Sequence, residues 1–234
     1  MIQVRPFDAL PSANLGWLKA HHHFPVDGRP DLDHEPVGAL YVWNDDEFAP
    51  GKGFPMHAHR DVEIISYIRS GTVTHQDTLG NSYTIQSGDL QVMSAGTGIR
   101  HSEYNTGTEP LCLFQIWIAP NRFGWAPSYA TMNFSKADRS GRLATLASGF
   151  SEDLSLNVLP LHADARLLGS RLRANESLTH SPTRGRKAYL VPAEGSLMIN
   201  GTHVGKGSGV AMWGDDPLTI TALSDAEIIM VETI

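Results

Sequence analysis

FPMHAHRDVEI, residues 54–64, and SAGTGIRHSEYN, residues 94–105, are the two segments around which this chain is organised. Each holds two metal-capable side chains one residue apart, His57 and His59 in the first and His101 and Glu103 in the second. Side chains two residues apart in a β-strand lie on the same face. If both strands belong to one barrel with these faces inward, three imidazoles and one carboxylate converge. That set suits a divalent transition metal with positions left open for a ligand.

The surrounding sequence predicts antiparallel β structure. Short apolar or β-branched runs lie close together between Gly, Asn and Asp turns, with little helical periodicity. In the first part of the chain these runs predict strands at 37–43, 62–68, 72–76, 82–85, 89–93 and 111–118. Asn44, Asp45 and Asp46 are expected to close the first of these strands. Strands this short and closely spaced are typical of a sandwich or barrel.

The rest of the chain divides into flanking, connecting and β-rich segments. Residues 1–36 hold five prolines and few periodic apolar positions, so short strands and wrapping loops are expected there. Residues 120–150 are rich in turn formers and predict a connector. Further strands are predicted at 155–159, 167–173, 187–191, 196–199, 202–204, 209–213, 218–222 and 227–231.

The two β-rich regions echo each other. One strand–turn–strand unit begins at Gly71 and closes at Gly88, and another begins at Gly195 and closes at Gly209. This favours two barrels from an internal duplication, although hairpins of this size occur in any all-β protein. The predicted domains are 1–130, a connector at 131–154, and 155–234.

Composition excludes several classes of function. The net charge of −7 offers no electrostatic case for binding nucleic acid or an anionic membrane. No apolar run approaches the roughly 18 residues that span a bilayer, and the opening residues MIQVRPFDAL lack the plan of a signal peptide. The single cysteine, Cys112, rules out an internal disulfide and is expected to be a small core hydrophobe. We expect a cytoplasmic protein.

The spacing Gly51-(x5)-His57-Ala58-His59-(x3)-Glu63, with Gly88-(x5)-Ser94 and His101-(x3)-Asn105, resembles the paired motifs of the cupin superfamily. Two departures, the seven residues between Glu63 and Gly71 and Ser94 in place of a proline, are shared by the pirin family. The two segments quoted above, with GTVTHQD at 71–77 and QIW at 115–117, resemble bacterial pirin-like proteins over residues 38–118. The C-terminal part matches in pattern more than in residues.

This resemblance implies an all-β bicupin fold of two antiparallel jelly-roll barrels with one metal, in the N-terminal cupin. The pirin ligands fall on His57, His59, His101 and Glu103. We expect no metal in the C-terminal cupin, where only His180 lies near the position of a ligand pair. Imidazole and carboxylate suit Fe(II), Mn, Co, Ni, Cu and Zn, and the oxygen-activating iron arrangement makes Fe(II) the first choice.

Other polar residues receive structural interpretations. Glu63 is expected to form hydrogen bonds near the site, around the metal ligands, rather than to bind the metal itself. A core or rim position is favoured for His75 and a turn or strand end for Asn105, while a pocket role for Gln115 is left open. The remaining histidines are expected in a surface loop or pocket rim (His21, His22, His23) or as solvated or locally bonded groups (His34, His162, His180).

The resemblance to bacterial pirins implies quercetin 2,3-dioxygenase activity, in which dioxygen opens a flavonol ring to a depside and carbon monoxide. Glu103 is then the candidate general base for the 3-hydroxyl proton, on the condition that it can loosen from the metal. Another phenol or enediol is left open as the physiological substrate, and a monomer is expected. The alternative is a metal- or redox-sensing regulator that acts through protein partners, as eukaryotic pirins are linked to transcription factors. Isomerase and oxalate or sugar chemistry are less favoured.

Overall fold

The computed structural model describes residues 1–25, 34–135, 137–214 and 216–234, and its regular elements are mainly β-strands. Three short 3-10 helices lie at Phe7–Ala9, Ala137–Arg139 and Ser151–Asp153. The strands are β1 Ile2–Arg5, β2 Ser12–Asn14, β3 Leu18–His22, β4 Leu40–Phe48, β5 Gly53–His59, β6 Glu63–Ser70, β7 Thr72–Asp77, β8 Ser82–Gln86, β9 Asp89–Ser94, β10 Ile99–Tyr104, β11 Leu111–Ile118, β12 Ser128–Asn133, β13 Ala144–Ser148, β14 Leu159–Pro160, β15 Ala165–Leu172, β16 Ser177–His180, β17 Lys187–Glu194, β18 Leu197–Ile199, β19 Thr202–Val204, β20 Gly209–Met212, β21 Leu218–Ala222 and β22 Ala226–Thr233.

These strands form two modules, each with a seven-stranded and a four-stranded sheet. In the first module the sheet orders are β12-β9-β6-β11-β4-β3-β2 and β5-β10-β7-β8. In the second module they are β1-β20-β17-β22-β15-β13-β14 and β16-β21-β18-β19. The pairing of β13 with β14 is parallel. In the two four-stranded sheets, β10 pairs antiparallel with β5 and β7, and β21 pairs antiparallel with β16 and β18. The architecture is the all-β bicupin that the sequence predicts.

The two seven-stranded sheets pack back to back, because their strands are apolar on both faces. Phe114, Ile116 and Ile118 of β11 join a core cluster that also contains Val191, Ile229 and Val231 of the second module. Alternate residues of β11 point the other way, into the first module. A strand buried on both faces reads as a nearly continuous apolar run, which explains the sequence LCLFQIWI.

The interiors of the modules differ. The second module is filled by one apolar cluster drawn from both of its sheets. The first module has an apolar cluster around Phe48 and Leu113 and another around Ile64 and Met93. Polar side chains lie between these two clusters, and they form the candidate site.

The ends of the chain tie the modules together. β1 pairs with β20 in the second module, although the segment that follows β1 belongs to the first. Gly38 packs against the last two residues, where an added Cβ would come 2.5 Å from the carbonyl oxygen of Ile234. Its φ of 58° also favours glycine. No helix within the described ranges combines the length and hydropathy needed to cross a bilayer.

Two strand predictions were wrong. The strand predicted at 37–43 starts at Leu40 and continues through Asp46 to Phe48. Asp45 can stay in this strand because it forms an ion pair with Arg69. The strand predicted at 155–159 is reduced to Leu159–Pro160, since a 3-10 helix at Ser151–Asp153 precedes it.

The segment expected to connect the modules contributes strands to both. β12 pairs with β9 of the first module, and β13 pairs with β15 of the second. The domain boundaries at 130 and 154 stay a prediction. Near the N-terminus, β1, β2 and β3 are short, as expected for residues 1–36, and the part of that expectation at 26–33 lies outside the described residues.

Candidate metal centre

The register of the four-stranded sheet brings the metal-capable residues of the first module together. On β10, His101 lies opposite His57 of β5, and Glu103 lies opposite His75 of β7. Directly paired residues of an antiparallel sheet project to the same face. The pairing of β5 with β10 shifts between His101 and Glu103, so that β5 has one extra residue around Pro55. Proline donates no hydrogen bond to a ladder and is commonly found at such bulges.

Three imidazoles meet at this face. The ring centroids of His57 lie 4.8 Å from His59 and 4.4 Å from His101, and those of His59 and His101 are 5.0 Å apart. One ring nitrogen from each residue lies within 4.8 Å of the others. His57 donates from Nδ1 to the carbonyl oxygen of Pro55 at 2.7 Å, which leaves its Nε2 as the metal-capable atom.

The unpartnered nitrogens of this group fit a bound metal. His59 Nε2 and both ring nitrogens of His101 are buried without a hydrogen-bond partner. Buried polar atoms are normally satisfied, so an unsatisfied set at one place indicates a missing partner. A divalent cation supplies that partner for neutral imidazoles, and it binds their lone pairs.

Glu103 is fully buried beside the imidazoles, and its carboxylate is held at both oxygens. Oε1 accepts hydrogen bonds from Gln91 Nε2 at 2.6 Å and Ser66 Oγ at 3.3 Å, and Oε2 accepts one from Gln115 Nε2 at 3.0 Å. The donors stand on the facing seven-stranded sheet, where Ser66 pairs with both Gln91 and Gln115. Gln115 therefore does face the pocket.

Each glutamine is in turn oriented by an aromatic donor. Tyr129 donates from its hydroxyl to Gln91 Oε1 at 3.1 Å, and Trp117 donates from Nε1 to Gln115 Oε1 at 3.4 Å. A carboxamide whose oxygen accepts such a bond must turn its NH₂ group the other way, toward Glu103. The two aromatic side chains thus fix the donors that hold the carboxylate.

Burial and neighbouring charges keep the imidazoles of His59 and His101 neutral and the carboxylate of Glu103 charged. Burial and the neighbouring His57 lower the pKa of His59 to about 4. Burial also lowers the pKa of His101 to about 4, although the charge of Glu103 raises it. For Glu103, burial raises the pKa, but His101 and the hydrogen bonds from Gln115 and Gln91 bring it below its usual value. These are the protonation states that metal ligands need.

His75 is buried, as expected, but it belongs to the site face. Its Nε2 lies 2.9 Å from Asp77 Oδ2, and its ring stacks on Tyr129 with centroids 4.3 Å apart. A ligand atom of His75 lies within 4.8 Å of those of His101 and Glu103. Sequence reasoning missed this contact because it depends on the pairing of β7 with β10.

The expectation for Glu63 was wrong. On β6 it shares a face with Ile65 and Tyr67, which belong to the core between the modules. Its Oε2 accepts hydrogen bonds from Ser94 Oγ at 2.7 Å and from the backbone N–H of His162 at 3.1 Å. Glu63 therefore joins the modules and lies on the opposite face of β6 from the site, so it does not hydrogen-bond to the candidate metal ligands.

The histidine run at 21–23 is also not simply a pocket rim. His23 is fully buried, with Nδ1 2.8 Å from the hydroxyl of Tyr189 in the second module. His22 Nδ1 lies 2.9 Å from Asn44 Oδ1, and both His21 and His22 belong to strand β3. A run of histidines on a strand alternates between faces, so only part of it can reach a core.

Other expectations have mixed outcomes. Asn105 is a strand-end residue, as predicted, and its side chain donates to the carbonyls of Phe48 and Glu109. Cys112 is only half-buried. His162 stacks on Trp125 at 4.1 Å, and His180 lies 3.4 Å from Glu232 inside the second module.

Sequence reasoning missed one buried acid near the site. Asp46 is 2% exposed, and its Oδ1 has no hydrogen-bond partner. Burial and the charges of Asp45 and Glu103 raise its pKa to about 8. The run Asn44-Asp45-Asp46 resembles a turn in sequence, and only the position of β4 inside the sheet shows otherwise.

Comparison with known proteins gives a consistent result across the chain. The model of the Pirin family matches residues 3–118, and that of the Quercetinase C-terminal cupin domain matches residues 147–233. The chain is 50% identical to a pirin-like protein of Caulobacter vibrioides over 232 residues, covering 99% of both chains. It is 37% identical to the quercetin 2,3-dioxygenase of Escherichia coli, covering 99% of this chain and 98% of that protein.

Solved structures agree with this similarity. The crystal structure of the bacterial pirin YhhW of Escherichia coli in complex with nickel(II) matches with a TM-score of 0.91 at 35% identity. The match covers 100% of this chain and 99% of that one. The likeness therefore extends over both modules.

Proposed function

This chain belongs to the pirin family, and from that premise we propose that it is a metal-dependent dioxygenase that opens the ring of a flavonol such as quercetin. The observation that carries the proposal is the convergence of the imidazoles of His57, His59 and His101, with the buried, hydrogen-bonded carboxylate of Glu103 close to His101. Two histidines and a carboxylate with open positions are the ligand set of oxygen-activating iron. Relatives named quercetin 2,3-dioxygenase support the same reaction.

We assign His57, His59, His101 and Glu103 as the ligands of one divalent ion. Fe(II) is our first choice, because its chemistry matches the proposed use of dioxygen. The nickel(II) complex of YhhW supports Ni as an alternative, and Mn, Co, Cu and Zn also suit imidazole and carboxylate ligands. When bound, the ion acts as a Lewis acid that stabilises the negative charge of the substrate's enolate oxygen.

The protein supplies the walls of the substrate pocket. His57 and His59 are half-exposed, whereas Glu103 is fully buried, so substrate would approach from the side of these two histidines. Trp117 packs edge-on against His59 with centroids 5.1 Å apart, and Phe54 packs against His57 at 5.9 Å. Aromatic side chains at these positions can hold the flat rings of a flavonol and exclude water from the reacting carbon atoms.

Glu103 is the residue that we assign to take the 3-hydroxyl proton. Its lowered pKa keeps it ionised at neutral pH, so it is ready to accept a proton. Gln91 and Gln115 hold the carboxylate in one orientation. Both atoms of dioxygen enter the depside, and the ring carbon that carried the 3-hydroxyl leaves as carbon monoxide.

The experiment is to remove metal from the purified protein and reload it with Fe(II), Mn, Co, Ni, Cu or Zn. Quercetin loss in air and carbon monoxide release are then followed. Loss should require metal and should disappear in His101→Ala. Ser102→Ala, on the opposite face of β10, is the matched control and should stay active.

No quercetin loss with any metal, in a protein that binds one ion per chain, would contradict the dioxygenase proposal. The regulator alternative would then be tested by searching for protein partners.

We further propose that the protein acts in the cytoplasm as a monomer, on a flavonol or a related phenol or enediol together with dioxygen. The net charge of −7 gives no basis for contact with nucleic acid or an anionic membrane. The monomer is supported by β1, through which the chain supplies an edge strand to its own second module. Light scattering coupled to gel filtration tests it.

A further inference from the structure

We propose that the first module contains a second, inner metal position formed by His75, His101 and Glu103. This position goes beyond the proposed reaction, because it uses a histidine outside the four assigned ligands. It can be measured by metal binding alone, without substrate.

The three donors are close together and shielded from solvent. One ligand atom from each residue lies within 4.8 Å of the other two. His75 and Glu103 are 0% exposed and His101 is 1% exposed. Their arrangement follows from the register, in which His75 lies directly opposite Glu103 on the neighbouring strand and His101 stands two residues before Glu103.

The environment of His75 leaves one ring nitrogen ready to bind a cation. Its Nε2 is 2.9 Å from Asp77 Oδ2, and Asp77 also accepts bonds from the side chain of Asn81 and the backbone N–H groups of Leu79 and Asn81. A carboxylate so surrounded by donors is an acceptor, so Nε2 of His75 carries the proton and Nδ1 keeps its lone pair. Metal-binding histidines characteristically donate their other N–H to a carboxylate in this way.

The free nitrogen atom has no other partner. His75 Nδ1 is buried and makes no hydrogen bond, and the same holds for both ring nitrogens of His101. Stacking on Tyr129 fixes the plane of the His75 ring. A core histidine with a purely structural role would be expected to use both nitrogens. Two imidazoles and a carboxylate instead make a recognised ligand set for Fe, Co, Ni or Zn.

The inner position shares His101 and Glu103 with the four ligands assigned above, and His101 also belongs to the outer group of His57, His59 and His101. We therefore expect one ion per chain, held at one position or the other. The outer histidines are half-exposed, whereas every inner ligand is buried. An ion at the inner position would be shielded from solvent, whereas an ion at the outer position would be accessible to the substrate.

Removal of the outer ligands tests the proposal. Metal-free wild-type protein, His57→Ala/His59→Ala and His57→Ala/His59→Ala/His75→Ala are titrated with Co(II), followed by calorimetry and by the visible absorption of the bound ion. The double variant should still bind one Co(II) per chain. Adding His75→Ala should weaken that binding at least 10-fold. Asp77→Asn in the double variant should weaken it about 10- to 100-fold, the range seen for groups that orient a ligand.

Gln76→Ala in the double variant is the matched control, because Gln76 lies between His75 and Asp77 on β7 but is exposed. It should leave Co(II) binding unchanged, and circular dichroism checks that each variant is folded. The Co(II) form of the double variant should also show a hyperfine-shifted exchangeable N–H resonance, from His75 Nε2, that the triple variant lacks.

Equal Co(II) binding by the double and triple variants, or none by a folded double variant, would overturn the inner position. Either result leaves the dioxygenase proposal standing. Conversely, an inner position found in a protein that never consumes quercetin would leave only the reaction in doubt.

Discussion

The four-stranded sheets of the two modules have the same register but opposite chemistry. In the first, Ile99 pairs with His59 and His101 with His57. In the second, Leu218 pairs with His180 and Ile220 with Leu178. Leu178 and Ile220 therefore stand where the first module has His57 and His101, and Ala222 follows Ile220 as Glu103 follows His101. Of the four positions, only that of His59 keeps a histidine, His180.

The facing sheets differ in the same way. The central strands of the first module carry a polar row of Gln91, Ser66 and Gln115. The matching strands of the second carry Val210, Leu190 and Met230, which belong to its apolar cluster. One scaffold thus accommodates either a packed core or a ligand site, and a small set of inward side chains decides which.

The largest expected effect concerns Glu103. Glu103→Gln keeps the shape of the side chain but removes the charge and the base, so quercetin turnover should fall by about 10²-fold or more. Metal content is measured alongside turnover, because an amide is also a weaker ligand. Full turnover in this variant would eliminate the base assignment.

A pair of truncations should separate the modules by the size of the change in the free energy of unfolding. Ile220→Ala removes packed apolar atoms and should cost about 2–4 kcal/mol of the free energy of unfolding. His101→Ala, measured without metal, removes two unpartnered buried nitrogens, so its cost should be within about 1 kcal/mol or become a gain. Urea unfolding measures both. An equal loss in the two variants would mean that His101 is packed as a core residue.

The polar row should matter for metal affinity rather than for folding. Gln115→Leu removes the hydrogen bond to Glu103 Oε2 and should weaken metal binding about 10- to 100-fold. Gln86→Leu, at an exposed position of β8, serves as the control and should bind metal normally. Unchanged affinity in Gln115→Leu would show that Gln91 and Ser66 suffice to hold the carboxylate.

The smallest expected effect concerns Glu232, a buried carboxylate inside the second module. Burial raises the pKa of Glu232, but the close approach of His180 and the charge and hydrogen bond of Arg166 lower it to about 2. Because this folded-state value lies below the ordinary 4.5, the stabilisation is present above pH 4.5 and is lost as the pH falls toward 2.

After discounting for solvent screening, wild type should lose about 1 kcal/mol more stability between pH 5 and pH 3 than Glu232→Gln. Urea midpoints at the two pH values measure the difference. Glu109→Gln, at an exposed position, is the control and should lose as much stability between pH 5 and pH 3 as wild type does. An equal loss in wild type and Glu232→Gln would contradict the lowered pKa of Glu232.

Local pattern was enough to predict the all-β fold, because hydrophobic alternation and turn residues depend only on neighbours in sequence. The pairs His57 and His59, and His101 and Glu103, were predictable for the same reason. His75, Gln91 and Ser66 were not singled out for the site, because their role depends on which strand lies beside or opposite which. Asp46 was misplaced because β4 continues past the expected turn and buries it. Glu63 was misplaced because the orientation of β6 turns it toward the second module rather than toward the site.

The pairing of β1 with β20 has a consequence for how the protein is made. During translation, β1 leaves the ribosome roughly two hundred residues before its partner strand is synthesised. Meanwhile β2 and β3 can fold into the first module, holding β1 close to where the last strands will emerge. In the nascent chain, β1 is thus already in place to pair with β20 when β20 is made. Loss of residues 2–5 would leave the edge of β20 unpaired and prone to pairing with another chain.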